Sequence, residues 1–159
     1  MTRGFLGLGS NLGDKRAHLA AALEALAREP GIELRRTAVF YRTAPLGGPA
    51  GQDWYLNTVV EIATDLRPLA VLERCEAIER SLGRVRIERW GPRTIDIDLL
   101  WFDEAVEATP RLILPHPRAH LRSFVLKPWH ELEPDFLLLG HPLAYWLEKA
   151  DPLGIAKVP

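Results

Sequence analysis

Arg89-Trp90-Gly91-Pro92-Arg93-Thr94-Ile95-Asp96-Ile97-Asp98-Leu99-Leu100-Trp101-Phe102 is the stretch on which the reading of this chain turns. Ile95, Ile97, Leu99 and Trp101 alternate with Thr94, Asp96 and Asp98, and a period of two marks a half-buried strand. One face is apolar and the other carries acid. Side chains two residues apart on a strand start roughly 7 Å apart, so both carboxylates can reach a pair of divalent cations held about 4 Å from each other. Paired aspartates also serve as the solvated face of a strand protected from aggregation. Spacing alone leaves both readings open. Asp is a poor strand former, however, and its double appearance in an apolar run argues for a role other than folding. Arg89 and Arg93 flank the tight Trp90-Gly91-Pro92 segment, and arginines beside metal ligands suggest phosphate.

Upstream, Pro68 suits a helix's first turn, and Val71, Cys75, Ile78 and Leu82 form an apolar stripe that ends at Gly83. Cys75 then reads as a core residue and Glu79, beside the stripe, as a surface acid or a hydrogen-bond acceptor. Arg84, Arg86 and Arg89 crowd the connection that follows, where either solvent or an anion must screen them. From Tyr55 to Ala63 a strand is predicted with Leu56, Thr58, Val60 and Ile62 on one face and Tyr55, Asn57, Val59 and Glu61 on the other. An aromatic plane beside an amide suits a flat heterocycle, and it also suits an ordinary cross-strand pair. Thr43 to Asp53 is rich in Gly and Pro and predicts a surface loop, while Ile32 to Tyr41 predicts one strand. At the start, Gly4 to Gly9 predicts a strand, followed by a helix with Asp14 as N-cap and Leu19, Leu23 and Leu26 as its stripe. Gly7, Gly9 and Gly13 have the wrong spacing for a dinucleotide fingerprint, no phosphate-cradling Gly-Lys-Ser/Thr exists, and the glycines read as a structural turn.

Downstream, Ala105-Val106 predicts a short strand and Arg111 to Leu114 leads into Pro115-His116-Pro117. His120 to Leu126 should lie on or near a helix that stops before Pro128, with Trp129 to Pro134 as a compact apolar connection. Leu143 to Leu153 closes the chain, and Trp146 and Leu147 are its expected docking residues. His116 alone is an ordinary loop residue, but Arg118 and Arg122 nearby draw it toward an anion site.

At 159 residues, the length suits a single domain over 1–159 with a substantial core. One cysteine excludes an internal disulfide, and without a leader-like segment or a long apolar run a cytoplasmic protein with no membrane partner is expected. A formal charge of −1 argues against a general nucleic-acid binder, so any basic site must be local. The element order strand, helix, strand, strand, helix, strand predicts an α+β sandwich of the ferredoxin-like kind, a mostly antiparallel sheet with helices packed on one face. Such a fold does not identify a function.

The site residues do point further. Arg89 to Leu100 matches the signature of the 6-hydroxymethyl-7,8-dihydropterin pyrophosphokinases, ATP-using enzymes of folate biosynthesis, and the chain resembles that family over almost its whole length. Gly9-Ser10-Asn11-Leu12-Gly13, Tyr41-Arg42-Thr43 with Pro45-Leu46-Gly47, Tyr55-Leu56-Asn57, and Pro115-His116 followed by Arg122 and Phe124 match in the same order. The resemblance implies Mg²⁺-dependent transfer of pyrophosphate from ATP to the pterin hydroxymethyl group, with AMP as the other product. It makes Asp96 and Asp98 the ligands of two Mg²⁺, and Arg84, Arg93 and His116 catalytic with them. Tyr55 and Phe124 would sandwich the pterin, Asn57 would pair with its edge, and Thr43, Ala44, Leu46 and Trp90 would add contacts. Leu72, Glu79, Leu99 and Arg111 would surround the nucleotide; Arg84, Arg93, His116 and Arg122 would face its phosphates; and Arg86 and Trp90 would sit on a closing loop. A monomer whose partners are these two small molecules is expected.

Two departures stand out. The loop between Arg86 and Arg89 is one residue shorter than the family's usual form, and Pro117 stands where an aromatic hydroxyl often follows the histidine. No residue stands out as general base for the hydroxymethyl proton. Read without the resemblance, the same residues would also serve an RNA-binding module that stacks bases on Tyr55 and Phe124, or a two-metal phosphoesterase.

Overall fold

The computed structural model describes residues 1–44, 53–83, 94–103, 105–150 and 154–158. The chain runs β1 (Thr2–Ser10), α1 (Lys15–Arg28), β2 (Ile32–Thr37), β3 (Tyr41–Thr43), β4 (Tyr55–Thr64), α2 (Pro68–Ser81) and β5 (Asp96–Phe102). It continues through β6 (Glu107–Ala108), β7 (Ile113–Leu114), a 3₁₀ turn (Ala119–Leu121), α3 (Ser123–Leu132), β8 (Leu137–Leu138), β9 (His141–Pro142), α4 (Leu143–Lys149) and β10 (Ile155–Lys157). Six strands form one sheet in the order β10-β3-β4-β1-β5, with β2 also paired to β4, and every pair is antiparallel. This is the expected α+β class. None of its helices among the described residues is long and apolar enough to cross a membrane.

Local signals behave as the sequence predicts at the first two helices. Asp14 caps α1 by accepting from the Ala17 N–H at 3.1 Å, and Pro68 opens α2 at a position whose N–H would have no helical partner. Leu19, Ala22 and Leu26 of α1 and Val71, Cys75 and Ile78 of α2 bury against Leu6, Leu8, Leu56, Val60, Ile62, Ile97 and Leu99. Cys75 is a free thiol in this core, and burial, then the Glu79 and Asp98 charges, push its pKa up to about 12.

The helices occupy both faces of the sheet, whereas one face was expected. Phe5, Val59 and Leu100 point away from the first core and pack against Val125, Leu126 and Trp129 of α3 and Leu143 of α4, with Trp146 and Leu147 docked at the edge. A β-bulge corrects the predicted alternation. Phe5 pairs with Trp101 but Leu6 pairs with Leu99, so Leu100 is the extra residue and Trp101 crosses from the expected face to the α3 side. Trp101 meets Phe136 edge-on with centroids 5.0 Å apart, and Phe102 takes the position in the first core that simple alternation denied it.

Three further boundaries differ from expectation. Ile32 to Tyr41 is not one strand: β2 pairs with β4 near Thr64, β3 pairs with β4 near Tyr55, and the Ala38 N–H between them bonds the Val59 carbonyl at 3.0 Å. The short strand predicted at Ala105-Val106 lies two residues later, at β6. Pro128 sits inside α3 and does not end it, so Trp129 to Leu132 are helical and no longer a connection. Proline at that point removes one helical N–H, but burial of Val125, Leu126 and Trp129 along one side outweighs the lost bond.

Candidate active site

Strand register assembles a polar floor on the α3 side of the sheet, beyond the point where α3 covers it. Thr43 faces Tyr55, Tyr41 faces Asn57, Asn57 faces Gly9, Gly9 faces Asp96 and Gly7 faces Asp98. His116, Pro117, Arg118, Arg122 and Phe124 close over this floor, leaving a cavity of about 470 Å³. The volume falls in the usual range for a small-molecule site. Thr43, Ala44, Tyr55, Asn57, Asp96, Asp98, His116, Arg122 and Phe124, all predicted from sequence, line this one space.

Glycine makes the space. A Cβ on Gly9 would lie 2.7 Å from Asn57 Nδ2, and one on Gly7 would lie 3.4 Å from the Leu100 side chain. Both glycines belong to β1 and form the bottom of the cavity, so the expected structural turn is confined to Gly13, whose φ of +68° fits a turn. Glycines two apart in a predicted strand leave one face without side chains, and that was the signal available. Thr43 also does more than lend its backbone. Its Oγ1 donates to Asn57 Oδ1 at 2.8 Å, a buried bond that fixes which way the amide points and leaves Nδ2 beside Gly9.

Asp96 and Asp98 are half-buried on one strand face, as alternation requires. Carboxylate oxygens are hard donors, suited to Mg²⁺, which commonly takes one or two carboxylates and fills its shell with water and phosphate oxygens. Among the described residues no three His, Cys, Asp or Glu side chains group into a metal cage. An acidic pair above a glycine floor fits a cation that arrives with a polyphosphate.

His116 is held through both its backbone and its ring: its N–H donates to the Leu100 carbonyl at 2.9 Å and its Nδ1 accepts the Arg118 N–H at 3.1 Å. The ring proton therefore resides on Nε2. Burial, then the Arg122 and Arg118 charges, lower its pKa to about 4, so the imidazole is neutral near pH 7. The Arg122 guanidinium carbon lies over the Phe124 ring, 5.5 Å from its centre, so the cation and the aromatic wall adjoin.

Four predicted nucleotide residues lie outside the cavity lining. Leu99 packs in the first core with Leu72 against it, Glu79 is buried and accepts the Ile97 N–H at 2.7 Å, and Arg111 pairs with Glu76 at 2.8 Å. All four gather where α2 meets β5 and the segment after it, on the other side of the acidic strand. Leu46, Arg84, Arg86, Arg89, Trp90 and Arg93 lie outside the described residues.

The sequence of this domain matches the model of the 7,8-dihydro-6-hydroxymethylpterin-pyrophosphokinase (HPPK) family over residues 5–134. The chain belongs to the HPPK family. It is an enzyme, a pyrophosphokinase, and therefore a transferase, of folate biosynthesis. It is 50% identical over 158 residues to a 2-amino-4-hydroxy-6-hydroxymethyldihydropteridine pyrophosphokinase of Methylorubrum extorquens, covering 99% of each chain. A protein of the same description from Pseudomonas aeruginosa is 42% identical, over 99% of this chain and 97% of the other. HPPK domains also occur in longer chains. A Plasmodium falciparum HPPK-DHPS structure with pteroate aligns with a TM-score of 0.73 at 12% identity, covering 93% of this chain and 44% of that one. This chain thus spans under half of that longer protein, and the likeness to it concerns the fold.

Proposed function

We propose that this HPPK-family chain transfers the β,γ-pyrophosphoryl group of ATP to the hydroxymethyl oxygen of 6-hydroxymethyl-7,8-dihydropterin. A bond forms between that oxygen and the β-phosphorus, the bond from the β-phosphorus to the α–β bridging oxygen breaks, AMP leaves with that oxygen, and the hydroxymethyl proton passes to solvent. The observation that carries the reading is that one cavity brings an aromatic and amide floor beside an acidic pair, Arg122 and His116. A flat polar ring suits one end and a metal-bound polyphosphate the other.

Tyr55 and Phe124 would grip the ring between aromatic faces, and Asn57, oriented by Thr43, would pair with its edge. Ala44 and Leu46 would extend that contact. Asp96 and Asp98 would hold two Mg²⁺, which when bound offset the negative charge on the phosphate oxygens. The neutral His116 would donate from Nε2 to a phosphate oxygen, and Arg122 would supply a fixed positive charge there. Arg84, Arg86, Arg93 and Trp90 would complete the phosphate side, while Leu72, Glu79, Leu99 and Arg111 would surround the nucleotide. Positioning of two substrates, more than covalent chemistry by any side chain, would supply the rate. The proposal places the enzyme in the cytoplasm as a single-domain monomer without nucleic-acid or membrane partners.

Incubation with ATP, Mg²⁺ and hydroxymethyl-dihydropterin tests it. AMP with a pyrophosphorylated pterin is the expected product pair. ADP, or no turnover that depends on the acceptor, would overturn the proposal.

A further inference from the structure

Seven residues beyond Phe124 on the same helix lies Glu131, roughly 10 Å along the axis and at nearly the same azimuth. Its Oε2 accepts from Tyr41 Oη at 2.8 Å and pairs with Lys157 Nζ at 3.2 Å, while its Oε1 accepts the Val39 N–H at 3.2 Å. One carboxylate of α3 thus holds the connection before β3, β3 itself and β10. Tyr41 is two residues from Thr43 on one face of β3 and directly across from Asn57. The helix stripe and the strand face that meet at Glu131 and Tyr41 therefore meet again, one step on, as the two walls of the cavity.

Shielding makes this tie stiff. Tyr41 is 5% exposed, and burial together with the bond to Glu131 pushes its phenol up to about 12. Burial also acts to raise the Glu131 pKa, but the bonds from Tyr41, the Val39 N–H and Lys157 outweigh it and hold the carboxyl below its ordinary range. The next acid, just past the end of the helix, does not duplicate the tie. Glu133 is bound to Arg3 of β1 and Arg36 of β2, away from β3.

We infer that the Tyr41–Glu131 pair is a spacer that sets the gap between Phe124 and the Tyr55–Asn57 floor, making both residues positioning residues for the flat-ring substrate. Two aromatic walls grip one ring only when each lies about 3.5–4 Å from it, so a shift of about 1 Å at Phe124 is felt in affinity. The inference rests on the pterin reading given above.

Tyr41→Phe removes the hydroxyl and keeps the ring, Glu131→Ala removes both acceptor oxygens, and Glu131→Gln keeps one of them while turning an NH2 toward the Val39 N–H or toward Tyr41 and Lys157. Each is measured by steady-state kinetics for both substrates, by fluorescence titration with 6-hydroxymethylpterin beside Mg²⁺ and a non-hydrolysable ATP analogue, and by thermal unfolding. Tyr41→Phe and Glu131→Ala should each raise KM and Kd for the pterin about three- to tenfold while kcat and the KM for ATP stay within about twofold. The double variant should bind the pterin no worse than Glu131→Ala alone, because the Tyr41 hydroxyl reaches α3 through Glu131. Glu131→Gln, with one acceptor oxygen kept, should fall between wild type and Glu131→Ala. Lower melting temperatures with unchanged pterin affinity would reduce the pair to a structural role and overturn the inference, as would additive losses in the double variant. A wild-type chain that binds no pterin would overturn the pterin reading as well.

Discussion

On the face covered by α1 and α2, strands β1, β4 and β5 present Leu6, Leu8, Leu56, Val60, Ile62, Ile97 and Leu99 to a closed apolar layer. On the other face the same strands present Gly7, Gly9, Tyr55, Asn57, Asp96 and Asp98 to an open cavity. A period of two makes both surfaces from one set of residues, and burial differs because α3 stops short where α1 and α2 do not. The closed face concentrates stability, and the proposed function puts the chemistry at the open end of the other face. Substitutions should therefore separate the two properties.

The sharpest test is on the acidic pair. Asp98→Ala or Asp96→Ala should lower kcat by roughly 10²–10³-fold or more, since on the proposed reading each removes a metal ligand whose charge stabilisation acts in the transition state. Both side chains are only half-buried, so unfolding in urea should show little loss of stability. Near-normal turnover in either variant would break the assignment of this face to chemistry. The mirror experiment is Leu19→Ala on the closed face, where the side chain is fully buried. It should cost about 2.7–5 kcal/mol of stability by urea titration, with kcat and KM little changed well below the melting temperature. A variant that stayed stable but lost activity would erase the contrast.

Gly9→Ala joins the two regions, because Gly9 lies in a core strand and forms the cavity bottom. The new Cβ would meet Asn57 Nδ2 at 2.7 Å, and that amide cannot simply rotate away while Thr43 holds its other end. A rise of about tenfold in pterin KM is expected, worth about 1.4 kcal/mol, with a smaller change in kcat. Unchanged pterin KM would mean that the Asn57 amide takes no part in ring recognition.

Gly9 also shows where reading the sequence stops. Strand β1, helix α1, strand β4 and helix α2 are legible because each carries a long period of 2 or 3.6 backed by a cap or a breaker. The acidic pair, the Tyr55–Asn57 face and the His116 to Phe124 segment are legible as residue types in a spacing. A glycine floor is an absence of side chains, and it becomes a site only when the register sets Gly9 between Asn57 and Asp96. Trp101 is misplaced by alternation because one bulge residue reverses every later side chain in its strand. Strand β10 carries no pattern of its own, and its pairing with β3 joins Ile155 to Thr43 across more than a hundred residues. Pro128 obeys tertiary burial over local propensity.

The smallest expected effect concerns the proton. Burial acts on both faces to keep a titratable group neutral, raising the Cys75 thiol in the closed core and lowering the His116 imidazole beside the open cavity. For His116 the folded chain releases its proton near pH 4, whereas an unfolded chain does so near its ordinary value of 6.5. Between these values the unfolded state binds more protons, so this group's contribution makes stability fall as pH drops from about 6.5 toward 4 and leaves it flat well above 6.5. His116→Gln removes that contribution while the carboxylates titrate alike in both proteins. The difference in unfolding free energy, wild type minus variant, should thus decline as pH is lowered, by less than about 1 kcal/mol between pH 7 and pH 6. A difference that stays constant down to pH 4.5 would mean that the ring is not held neutral by its surroundings, and its assignment as an Nε2 donor at the phosphate end would have to be withdrawn.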